Sequence, residues 1–198
     1  MNRRTFDALL ASFGVGVAVL LIVAGGLLTW GHHFVTQQVH SQLAAEKIFF
    51  PAKGSPALAP TAIGPYLDKY AGQQMTTGPQ AEAWANHFIA VHLQAIGGGK
   101  TYAQLSAEAI AQPKNTALAA QVATVFKGET LRGLLLNAYA FGKMGTLAGI
   151  AAIVAFAGAA FMLLLSALGL AHLRRTPATA EVLPGLGART PAPTEVAL

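Results

Sequence analysis

Cysteine is absent from the 198 residues, and Asp, Glu, Lys and Arg together supply only 11% of them. Without thiols there is no disulfide framework, no thiolate metal site and no cysteine nucleophile. The 13 basic residues stand singly or in pairs, and no Lys/Arg run interleaves with aromatics, so the net charge of +5 carries no footprint for nucleic acid. Strand-like alternation and Asn-Gly hairpin turns are missing as well, which points to an all-α chain. No repeat of fixed period interrupts that reading.

What the sequence does contain is apolar surface: 54% of residues are hydrophobic, concentrated in two blocks. The first, Ala8 to Trp30, has 23 residues and no charge. At 1.5 Å per residue it reaches about 35 Å, enough for a hydrocarbon core of about 30 Å. The second, Met144 to Ala171, has 28 uncharged residues and is long enough to tilt. A cleavable signal peptide is the competing reading of the first block. Its length exceeds the usual apolar core of such peptides, and no A-x-A site precedes Gly31-His32-His33, so an anchor is expected.

Short basic flanks orient the two spans. Arg3 and Arg4 precede the first, and His172, Arg174 and Arg175 follow the second; Lys143 is a mild dissent. By the positive-inside rule both ends lie in the cytoplasm and the middle lies outside. Trp30, Phe34, Tyr139 and Phe141 then fall at one outer interface, where aromatic belts form.

The middle segment reads as a series of helices. The first span continues as helix beyond the apolar block until Phe50-Pro51 stops it. Residues 51–76 carry four prolines among apolar anchors, a packed loop with one short helical turn. Thr77 with Gln80, and Thr101 with Gln104, are capping-box patterns that open helices to about Ile96 and Ala111. Pro79 suits a first turn, and Gly97-Gly98-Gly99 ends the earlier helix. A third helix opens at Asn115 or Thr116 and runs to Phe126; Gly128 breaks or bends the chain before 129–143 lead into the second span. The tail from Thr176, rich in Pro, Thr, Ala and Gly, reads as disordered.

Chemistry is thinly signalled. Histidines His32, His33, His40, His87 and His92 fall in or beside the middle segment, but not at the i, i+4 spacing of a helical metal pair. His87 and His92 diverge by roughly 140° on an ideal helix. A site joining His40 to His87 or His92, with Glu46 or Glu82, would suit iron. No G-x-S-x-G elbow is present, and the carboxylates show no paired spacing. The triplet before Lys100-Thr101 fails the phosphate-loop pattern because Gln94 stands where its first glycine belongs. Gly145 and Gly149 form a small-xxx-small pair, extended by Ala152, Ala155 and Ala159, with Ala8, Ser12 and Gly16 at like spacing in the first span. These predict close packing between the two spans. Neither span carries an ionisable residue in its core, which argues against an ion path.

The stretches QQVHSQLAAEKIFFPAKGSPAL, YAGQQMTTGPQAEAWANHFIAVHLQAIGGGKTYAQLS and FKGETLRGLLLNAYAF resemble a group of small actinobacterial two-span membrane proteins. That resemblance implies a cell-envelope location and carries over no catalytic residue.

The sequence therefore predicts five segments: a cytoplasmic start (1–7), a span (8–30), an extracytoplasmic helical domain (31–143), a second span (144–171) and a disordered cytoplasmic tail (172–198). It predicts a non-enzymatic accessory or interaction subunit, with membrane lipid and another membrane or envelope protein as partners. No catalytic residue, cofactor or metal ligand is assigned, and Gly145 and Gly149 are the packing residues. The alternative is a metal- or small-ligand-binding outer domain, possibly enzymatic.

Overall fold

A computed structural model describes residues 3–175 and 177. The described chain is all-α, as the patterning predicts; its extended pairing is limited to one isolated antiparallel bridge, Phe49 with Gln74. It divides into two compact units, one from the described parts of 1–28 and 151–198, the other from residues 29–150. The expected tail from Thr176 lies, Pro177 excepted, outside the described residues. His172 to Arg175, assigned to that tail, are instead helical, the apolar helix carrying its basic flank within its last turn.

Helix α1 (Arg3–Ala45) contains no proline and runs unbroken through the first apolar block. It ends short of Phe50-Pro51, so the proline is not what stops it. Lys47 takes a left-handed conformation, φ 52°, and the Gln74 side-chain amide donates to the Ala44 carbonyl at 2.8 Å. The last turn is thereby closed before the proline is reached.

Residues 48–51 then pair with 72–75. Phe50 N–H donates to Gln73 at 2.9 Å, and Met75 N–H to Ile48 at 2.8 Å. The excursion between them holds three short helical turns rather than one: Pro56–Leu58, α2 (Gly64–Leu67) and Asp68–Tyr70. Leu58, Ile63, Leu67 and Met75 are buried beneath it, so this proline-rich stretch is packed as its apolar anchors predict.

Helix α3 (Gly78–Trp84) opens on the Thr77–Gln80 capping box, with both reciprocal bonds made. A π-helical turn, Ala85–Ile89, joins it to α4 (Ala90–Ile96). Gly98 (φ 59°) and Gly99 (φ 79°) end that helix, and the Gly99 N–H donates to Gln94 at 2.8 Å. The second capping box, Thr101 with Gln104, starts α5 (Tyr102–Ala111).

Helix α6 (Thr116–Arg175) is continuous over 60 residues, about 90 Å at helical rise. Gly128 neither breaks nor ends it. Leu93 of α4 packs so closely against Gly128 that a Cβ there would fall within its side chain. The glycine is a contact point rather than a punctuation mark.

Two cores hold residues 29–150 together. The larger joins Val39 and Leu43 of α1, Phe50, Leu58, Ile63, Leu67 and Met75 of the loop, Ala81, Ala83 and Ala85, and Leu135 of α6. The smaller packs Leu105 of α5 against Leu118 and Val125 of α6.

In the other unit the two helices run antiparallel: Ala11 meets Gly169, Gly14 meets Ser166, and Leu21 meets Gly158. The buried seam is made of small residues, Ala11, Gly14 and Ala18 on one side and Ala152, Ala155, Ala159 and Ser166 on the other. Ser12 and Gly16, expected on this face, are exposed. Spacing of four on every step drifts around a 3.6-residue helix, whereas alternating three and four holds one face. Both long helices are long and apolar enough to cross a membrane, and only 22% and 17% of their most apolar windows are buried.

Candidate functional site: an apolar groove and a histidine–glycine contact

Within residues 29–150, α1 and α6 flank a half-open groove of about 580 Å³. Phe34, Val35, Gln38, Val39, Gln42 and Leu43 line it from α1, a set repeating every three or four residues and hence one face of a helix, and Glu46 lines it just past the helix end. From α6 come Leu131, Leu134, Leu135, Asn137, Ala138 and Phe141, and Ile48, Trp84 and Ile89 complete the wall. Val39, Leu43 and Leu135 are buried, while Gln38, Gln42, Glu46 and Asn137 are exposed. Phe34, Leu131, Leu134 and Phe141 are exposed as well, so the edges mix apolar and polar groups, and Glu46 is the lining's one formal charge.

Trp84 belongs to an aromatic series that stiffens this wall. It meets Phe50 edge-on at 5.2 Å between centroids and stacks on Phe88 at 4.1 Å; Phe88 in turn meets His92 at 4.5 Å. Tyr70 extends the series from Phe50 at 5.2 Å. Trp84, Phe88 and His92 are four residues apart, a spacing that makes side chains neighbours on one helix face, and the π turn lies among them. A polar link ties the same turn to α6. Asn86 donates to Glu82 at 3.0 Å and accepts from Arg132 at 3.2 Å, and Arg132 also reaches Glu129 at 3.3 Å.

Each sequence-flagged histidine has a definite neighbourhood. His87 stacks on Tyr66, centroids 3.5 Å apart and rings 4° from parallel. His92 donates from Nδ1 to the Phe88 carbonyl at 2.7 Å. His32 donates from Nδ1 to the Gly145 carbonyl at 2.8 Å and lies 5.3 Å from His33, ring to ring. Among the described residues no group of three or more His, Asp or Glu side chains is placed to hold a metal ion. His40 is exposed on α1, Glu46 is exposed just past its end, and Glu82 is engaged with Asn86.

Gly145 and Gly149, named from the sequence, both face α1. A Cβ at Gly145 would lie 3.2 Å from Val35, and one at Gly149 would lie 3.0 Å from the His32 ring. Sequence reasoning missed the groove, whose lining comes from α1, from α6 and from Ile48, Trp84 and Ile89 between them. It named His32 but missed its contact with Gly145, because nothing local marks a residue that pairs across 113 positions. Comparison with family models, with curated proteins and with solved structures found no match for this chain.

Proposed function

We propose that this is a membrane-anchored envelope protein with two spanning helices, both ends cytoplasmic and residues 31–143 outside. It acts there as a non-enzymatic accessory or interaction subunit of a membrane complex. One observation carries the membrane reading. Where the apolar blocks pair, the large side chains point outward and the small ones pack inward: Phe13, Leu20, Ile153 and Phe161 are exposed, and Ala18 and Ala159 are buried. Water would favour the reverse, because each large apolar side chain left in it forgoes about 1.5–3 kcal/mol of burial. Lipid removes that penalty and rewards close backbone approach between small residues.

Orientation is supported by Arg3, Arg4, Arg174 and Arg175 at the two ends and by Trp30, stacked on Phe34 with centroids 5.6 Å apart. The subunit role is supported by how the outer segment is built. It has a packed core and a groove, and His87 and Glu82 are engaged in stacking on Tyr66 and in a bond to Asn86. Reporter fusions after Arg189 and in the loop at Gly98 test the topology. An outside signal after Arg189, or a cytoplasmic one at Gly98, refutes it. Co-purification in mild detergent tests the subunit role: a stoichiometric membrane or envelope protein is expected, and a chain that elutes alone at native expression level counts against it.

A further inference from the structure

We infer that the basic end of the paired apolar helices, where Arg3 and Arg4 of α1 meet Arg174 and Arg175 of α6, binds anionic phospholipid headgroups. Two contacts fix the register. Ala11 meets Gly169 and Gly14 meets Ser166, so the start of α1 lies beside the close of α6. Arg4 stands seven residues before Ala11, and Arg175 six after Gly169. At helical rise the two are carried about 10 Å and 9 Å past that contact, in the same direction. Arg3 and Arg174 adjoin them, and the axes of packed helices lie about 8–10 Å apart. Two arginine pairs from opposite ends of the described chain thus border one patch.

The charge of this patch is one-sided. All four arginines are exposed, as is His172 beside them. Asp7 is the single acid among the described residues of this unit. It lies four residues before Ala11, on the seam side of α1; the residue is half-buried and its Oδ2 is enclosed. Four exposed guanidinium groups therefore stand against one carboxylate drawn toward the seam. A guanidinium is a planar fork that meets phosphate oxygens two at a time, and it sheds water more readily than an ammonium group does.

Position selects a lipid among anions. Ala8 opens the first apolar block four residues after Arg4, and Ala171 closes the second three before Arg174. On the membrane reading above, on which this site rests, Arg4, Arg174 and Arg175 lie within about 6 Å of the hydrocarbon, the depth of the headgroup layer. A soluble anion has to leave water to reach that layer, whereas a phospholipid phosphate is already in it. Each Lys or Arg beside an anionic membrane surface strengthens attachment about five-fold.

The test is thermal unfolding of the full-length protein in maltoside micelles, where an altered flank cannot invert the chain. Dioctanoyl phosphatidylglycerol should raise the midpoint by about 3 °C or more over phosphatidylcholine of equal chain length, the scale of a ten-fold excess over Kd. Each variant is compared with itself in the two lipids, so a change in basal stability cancels. Arg3→Gln with Arg4→Gln, or Arg174→Gln with Arg175→Gln, should weaken the apparent affinity about twenty-fold and remove most of the difference. Lys53→Gln with Lys114→Gln, at exposed positions within residues 29–150, should keep it. Sodium chloride at about 0.5 M should shrink it. No difference between the lipids, or one that survives loss of either arginine pair, overturns the inference while leaving the protein in the membrane. An equal shift from inorganic phosphate or from poly-glutamate overturns it in favour of a soluble anion or an acidic protein partner. Recovery of the chain in the aqueous phase after an alkaline wash removes the membrane reading and the lipid source with it.

Discussion

The imidazole of His32 occupies a recess made by two glycines one turn apart on α6. Its Nδ1 donates to the Gly145 carbonyl at 2.8 Å, and the same nitrogen would stand 3.0 Å from a Cβ placed at Gly149. Ordinary van der Waals contact needs more room, so the ring must give way if a methyl group is added.

Gly149→Ala should therefore lower stability in detergent by about 1 kcal/mol, the scale of interhelical contacts in membranes. In a His32→Ala background the same change should cost much less, since the two residues touch and their effects do not add. Gly145→Leu with Gly149→Leu should be worse than either alanine. Thermal unfolding of the four proteins of the cycle decides it; an equal cost in both backgrounds refutes the coupling.

The two capping boxes share one pattern and differ in surroundings, which makes them a controlled pair. Gln80 is 6% exposed, and its Oε1 accepts from the N–H groups of Thr76 and Thr77 at 2.8 and 3.0 Å, while its amide donates to Gln73 at 3.1 Å. Gln104 makes the Thr101 bond at 2.9 Å on an exposed surface. Gln80→Ala should cost about 2 kcal/mol and Gln104→Ala no more than about half that, since water can replace the second but not the first. Denaturant melts of the single variants would show it, and equal losses would refute the role of burial.

Arg132 joins α6 to the π turn through Asn86, whereas its contact with Glu129 is made within α6 by partly exposed groups. Glu129→Gln should change stability by less than about 0.5 kcal/mol, as exposed ion pairs usually do. Arg132→Met should cost about 1 kcal/mol, because Asn86 loses a partner between elements. The comparison is of unfolding midpoints, and a larger loss from Glu129→Gln would show the ion pair to be the stronger link.

Metal content separates the proposed function from its alternative. A site needs several ligands brought together with support behind them. Protein purified without an affinity tag should carry well under one transition metal per chain by elemental analysis. His87→Ala should cost about 1 kcal/mol through lost stacking on Tyr66 and leave metal content unchanged. Iron, copper or zinc near one per chain, lost on substituting His40, His87 or His92, would make the binding-domain alternative the better account.

Much of the helical order was legible because its signals are local. Thr77, Gln80, Thr101, Gln104 and the glycines at 97–99 act within four residues of themselves, so the chain announces those boundaries. The end of α1 was misplaced because Gln74, thirty residues away, caps Ala44. The seam of the apolar helices was half legible. Ala152, Ala155 and Ala159 are buried as expected, but on α1 an Ala- and Gly-rich composition offers several small-residue faces. Only the partner helix selects Ala11, Gly14 and Ala18. The groove and the His32 recess are products of tertiary contact alone, and no window of sequence contains them.

The π turn at Ala85–Ile89 has a consequence for chain length. Such a turn fits one residue more than an α-helix would between the same two ends. On one side Ala81, Ala83 and Ala85 are fixed in the core, and on the other Leu93 is fixed against Gly128. The surplus residue is held between them, and its removal would let 78–96 close into an unbroken α-helix. Trp84 and Phe88 would then lose their stacked register, and the groove would lose the stiffness of that wall. A single-residue deletion here should thus be tolerated by the backbone and felt by the groove, the opposite of what a deletion in a straight helix does.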